Sequence, residues 1–146
     1  MPSLRGTQMT PTKQEFTHKP EIGQYGDCQR AVIASLLDLP ISEVPHFLQD
    51  AGGDPCIYWD SIQAFLHKHG YAWLVVPARS GAAFFGETCP IYHEISGPSP
   101  RGNGVMHAVV GMDGQVVFDP HPDGTGLAGE QKDWEYGYLV KTSHAA

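Results

Sequence analysis

No apolar run in this chain approaches the ~20 residues that a membrane-spanning helix needs, so no span is expected in it. Positive charge is also scarce. Nine Lys and Arg stand against sixteen Asp and Glu, a net charge of -7, which argues against a general binder of nucleic-acid backbones, because that role needs a basic face. Charged residues make up only 17% of the sequence and hydrophobic ones 41%, a balance that excludes a disordered chain and indicates a globular one. There are three cysteines, Cys28, Cys56 and Cys89, which cannot all pair with one another, and neither a CxxC nor an HExxH spacing occurs. A disulfide framework and a paired-ligand zinc motif are therefore both disfavoured, and a reducing, cytoplasmic setting with at least one free thiol is expected. The opening stretch MPSLRGTQMTPTKQEFTHKP is polar and has no apolar h-region. It reads as a flexible or edge-lying arm over residues 1–20 rather than a secretory signal.

What the 146 residues do contain is helix signals first and strand signals after. Ala31, Val32, Ile33, Ala34, Leu36, Leu37 and Leu39 predict a helix over 28–38 that is apolar on almost every side, hence buried. Asp27 is placed to cap it, which puts Cys28 at its first position. PISEVPHFLQDAGG predicts a short second helix with Ser42 as cap, closed by Gly52 and Gly53. WDSIQAFLHKHG sets Trp59, Ile62, Phe65 and Leu66 on one face of a third helix that ends at Gly70. YAWLVVP, PIYHEIS, MHAVVGM, QVVFDP and YGYLVK then read as strands. Asp113-Gly114 is a hairpin turn that pairs 105–111 with 115–118. This order predicts an α+β domain, N-terminal helices packed on an antiparallel β-sheet. SGPSPRGNG at 96–104 reads as a connecting loop able to contact a ligand.

Three residues stand out for chemistry. A thiol at a helix N-terminus meets unpaired N–H groups and the positive end of the dipole, so Cys28 is expected to have a lowered pKa, with Asp27 opposing. His107 begins a strand. If Met112 faces Gln115, paired positions sum to 227, and His107 then lies opposite position 120, beside Asp119. That is the placement a base and its orienting carboxylate require. The imidazole would take the thiol proton and the carboxylate would hold the imidazole.

The segments QYGDCQRA, HAVVGMDG and VVFDPHPDG resemble, in order and context, the papain-like cysteine peptidase superfamily, closest to the peptidase domains of bacteriocin-exporting transporters and small bacterial and phage relatives. The likeness covers roughly residues 21–127. It implies a papain-like cysteine hydrolase domain over 21–146, with Cys28 as nucleophile, His107 as general base and then acid, and Asp119 as orienting group. It also implies an acyl-thioester intermediate in peptide, isopeptide or amide hydrolysis, a protein or peptide substrate, and no cofactor or metal. In those domains a Gln about six residues before the Cys serves the oxyanion. Here Gln24 is four residues before Cys28, so Gln24, the Cys28 N–H and Gln29 are all candidates. Ser96, Gly97, Arg101 and His121 are candidate substrate contacts.

Two other classes remain at this point. One is a catalytically silent papain-like binding module, for instance a phage-encoded modulator of a host protein. The other is a zinc site on Cys28, His107 and Asp119 with a fourth group such as His121. Cys56 and Cys89 read as inert thiols, His46 and His93 as packing or surface residues, and Trp59, Trp73, Phe84 and Phe85 as core.

Overall fold

The computed structural model describes residues 8–80 and 91–142. Phe84, Phe85 and Cys89 lie outside the described residues. The fold is α+β, three helices on a five-stranded antiparallel sheet. The helices are α1 (Cys28–Leu37), α2 (Phe47–Asp50) and α3 (Pro55–Lys68). The strands are β1 (Tyr71–Pro77), β2 (Tyr92–Pro98), β3 (Met106–Met112), β4 (Gln115–Phe118) and β5 (Glu135–Lys141). Their order in the sheet is β1-β5-β2-β3-β4, so β5 lies between β1 and β2.

Side-chain alternation along the strands sorts the core into two layers. On one face Ala108 and Val110 meet Val32, Ile33, Leu36 and Leu37 of α1, together with Ile62 and Leu66 of α3 and Phe47 of α2. On the other, Ile95, Val109, Tyr136 and Tyr138 pack with Leu127 and Trp134. Each fully buried Ile or Leu contributes about 1.5–3 kcal/mol, so the alternation along β3 sets which of its faces turns to the helices. Gly137 lies where β5 passes under Trp73, and a Cβ there would run into the indole ring.

The elements differ from expectation at their ends, for identifiable reasons. The second helix is split. Pro45 interrupts it, leaving a 3-10 turn at Ile41–Glu43 and a four-residue α2 capped by His46, whose ring accepts from the Gln49 N–H. α3 starts four residues earlier than the apolar face indicates, because Asp54 accepts from the Cys56 and Ile57 N–H groups and Pro55 occupies the first turn. Trp59, expected in the core, is 42% exposed and lines a cleft instead. The 96–104 loop is shorter than expected, as β2 carries Ser96 and Gly97.

From residue 8 the N-terminal arm runs extended along the body. Its Thr10 N–H reaches the Ser35 carbonyl, its Gln14 N–H the Pro120 carbonyl, and Lys19 and Gln24 form a small antiparallel bridge. Among the described residues no single helix is long and apolar enough to cross a membrane.

Candidate active site

The β3–β4 hairpin sets the site. Asp113 (φ 53°) and Gly114 (φ 80°) both take the left-handed conformation of a two-residue hairpin turn, and Met112 faces Gln115 as the sequence indicates. One extra residue, Val117 of β4, then bulges opposite the Val110–Gly111 step, so Val110 faces Phe118. The His107 Nε2 and Asp119 Oδ1 are 2.7 Å apart and buried.

Asp119 is an acceptor for three donors. Oδ1 takes the His107 ring N–H and the His121 N–H at 2.9 Å, and Oδ2 takes the Gly126 N–H at 2.7 Å. Burial works against its charge, but these bonds outweigh it and hold the carboxyl below its usual range. An ionised Asp119 can only accept, so the proton of the shared bond sits on Nε2. Burial in turn pulls the His107 pKa down, more than the bond and charge of Asp119 push it up. The imidazole is therefore neutral near pH 7 and carries its lone pair on Nδ1, the nitrogen a base would use.

Cys28 opens α1 and is partly buried. The expectation of a lowered pKa does not hold: the thiol is pushed up to about 11. Burial is the chief cause, and the nearby Glu94 and Asp27 add to it. The Ala108 and Gln29 N–H groups act in the opposite sense and are outweighed. Asp27 departs from its expected role as well. It makes no capping bond. Its buried carboxylate accepts from the Glu15 and Phe16 N–H groups and from Arg30, which also pairs with Glu15 at 2.8 Å. Three donors from the arm and the next helical turn outcompete the helix's own.

Cys28 and His107 line one cleft of about 850 Å³. The thiol lies against the N–H of Ala108, the residue after His107, and among the described residues no hydrogen bond joins it to the imidazole. Ser96, Arg101 and His121 also line the cleft. The Arg101 guanidinium is paired with Asp123 at 2.8 Å, and the His121 ring meets that of His107 edge-on, centroids 5.9 Å apart. Gly97 lies elsewhere, with its Cα against Trp134. Gln24 is also apart, its side-chain amide donating to the Thr17 carbonyl at 2.7 Å. Gln14, from the arm, lines the cleft instead, and its buried Oε1 has no partner among the described residues.

Sequence reasoning passed over Glu94 and Tyr58. Glu94 is buried on β2 and lines the cleft, with its carboxyl raised to about 7, first by burial. The phenol of Tyr58 is raised by burial and by the nearness of Cys28 and Glu94. The signal for Glu94 was a carboxylate in the otherwise apolar strand PIYHEIS, two positions from Ser96 and so on its face. Among the described residues no three His, Cys, Asp or Glu side chains converge as a group able to hold a metal ion. No family model, curated protein or solved structure matches the chain.

Proposed function

We propose that this protein is a papain-like thiol hydrolase, working in a reducing compartment on a peptide, isopeptide or other amide bond. The observation that carries the reading is the buried His107–Asp119 pair on the wall of the same cleft that presents Cys28 at the start of a helix. The resting pair is a neutral thiol and a neutral imidazole, so the thiolate forms during attack rather than before it. When a carbonyl enters the cleft, Nδ1 of His107 takes the thiol proton, sulfur bonds to the carbonyl carbon, and the imidazolium is held by Asp119. His107 then returns that proton to the leaving nitrogen as the tetrahedral adduct collapses to an acyl-thioester. Water, deprotonated by the same imidazole, hydrolyses the thioester and restores the thiol. Catalytic hydrogen bonds commonly close only in the substrate complex, which accommodates a resting site with no bond between Cys28 and His107 among the described residues. The helix N-terminus, with the Cys28 and Gln29 N–H groups, is the candidate oxyanion site. Gln24 is the weaker donor because its amide is already engaged.

A generic acyl donor tests this. p-Nitrophenyl acetate should acetylate Cys28, seen as an acetyl adduct on its peptide by mass spectrometry, and His107→Ala should abolish the adduct. Acetylation of the exposed Cys56 with none at Cys28 would overturn the reading.

A further inference from the structure

Glu94 is 2% exposed, and its Oε2 has no hydrogen-bond partner among the described residues. It lies on the wall of the cleft beside Cys28. Gln29, 7% exposed, sits next to it, and its side chain and that of Ser96 lend the carboxyl some support, but the Gln29 Nε2 and Glu94 Oε2 complete no well-formed bond among the described residues. A buried carboxyl left without a full set of partners is costly, and it persists where a ligand completes it. The charges around it indicate the sign of that ligand. The cleft's two guanidiniums are already spent, Arg30 on Glu15 and Asp27 and Arg101 on Asp123. Lys19 and His18 stand on the arm, His46 caps α2, and the imidazoles of His107 and His121 meet each other edge-on. Beside Glu94 are Ser96 on its own strand and Glu135 of β5, which is paired with Ser96 and exposed at the rim. The Tyr58 ring supplies an apolar wall.

We propose that this part of the cleft is a subsite for a cationic side chain of the substrate, an alkylammonium or guanidinium, with Glu94 as its buried counter-ion and Glu135 at its entrance. The methylene stem would lie along Tyr58, and Gln29 would hold the second carboxyl oxygen. The proposal rests on the cleft being a hydrolase site and names the residue class that site selects. It also gives the substrate a part in its own attack. Glu94 is one of the charges that hold the Cys28 thiol protonated, and a cation bound there cancels that influence and eases proton loss.

The test separates binding from chemistry by using Cys28→Ala, which keeps the subsite and lacks the nucleophile. Agmatine, a guanidinium and an ammonium joined by a four-carbon stem, and the uncharged N-butylurea are titrated into it by calorimetry. Agmatine should bind about tenfold or more tightly than N-butylurea, and adding Glu94→Gln should erase the difference. Should the Glu94→Gln protein not fold, the side-chain carboxyl carbon of Glu94 is followed by NMR in Cys28→Ala alone, where agmatine should shift it and N-butylurea should not. Equal binding of the two probes, or agmatine binding that leaves Glu94 unperturbed, overturns the subsite. Neither result depends on the acetylation experiment, whose failure would instead remove the hydrolase reading and leave a cation-binding cleft.

Discussion

Cys28 illustrates how burial can reverse the field of a helix end. The dipole and the Gln29 N–H favour thiolate, yet loss of water around the sulfur is the larger effect. At pH 7 the exposed Cys56 should therefore be carbamidomethylated by iodoacetamide before Cys28. The Cys28 rate should climb about tenfold per pH unit between pH 8 and 10. Peptide mapping after brief labelling checks both, and labelling of Cys28 ahead of Cys56 at pH 7 would mean a preformed thiolate. His107 supplies a second expectation. Its folded pKa lies below the usual 6.5, so its base form survives further into acid, and the acid limb of kcat/KM should fall below that value. Asp119→Asn removes a group that raises the His107 pKa. It should move the limb lower still and cut kcat by roughly 10²–10⁴-fold, because an amide cannot offset the imidazolium charge and can select the wrong tautomer. A pH–rate profile of the variant that matched the parent would remove Asp119 from the mechanism.

At the scale of elements, the arm is the part the sequence concealed. Its polar, proline-spaced residues carry no periodicity, so nothing in them marks an ordered segment. Its order comes from distant partners. The Glu15 and Phe16 N–H groups close on Asp27, the Gln14 N–H on Pro120, and the Lys13 ammonium on the Asp119 and His121 carbonyls. The arm thereby ties the start of α1 to the loop that carries Asp119, and Asp27→Asn should loosen both. The variant leaves Arg30 underpaired and two N–H groups with a weaker acceptor, and it should lose about 2–3 kcal/mol in urea denaturation. A loss under about 0.5 kcal/mol, the size of an ordinary surface change, would contradict that role. The strands were easier to read. Their alternation and the Asp-Gly turn suffice for the β3–β4 pairing at Met112, whereas the bulge at Val117 leaves no trace in that alternation. The ends of α2 and α3 were missed for the opposite reason: Pro45 and Asp54-Pro55 were plain in the sequence, but the apolar face drew the boundaries. Glu94 was legible only as an anomaly, a carboxylate within an apolar strand.

For the molecule as a whole, Glu94 makes an opposite contribution to stability from the buried histidines. Its folded pKa, about 7, lies above the ordinary 4.5, so the folded state holds its proton longer than the unfolded state does. That contribution is full below pH 4.5 and fades as pH rises through 7, by about 3 kcal/mol at the upper bound. His93 and His107 have depressed pKa values in the fold and contribute stability that is lost as pH falls below 6.5. The melting temperature of the parent relative to Glu94→Gln should therefore decline between pH 5 and 8, by calorimetry, and a flat difference would contradict a raised Glu94. The strand order has a consequence of another kind. β5 lies between β1 and β2, yet it follows the other four described strands in the sequence. Until it docks, β1 and β2 each present an open edge and Glu135 is missing from the mouth of the cleft. Closing the sheet and completing the mouth of the cleft are therefore one late, non-local event, and a chain caught before it is exposed to mispairing.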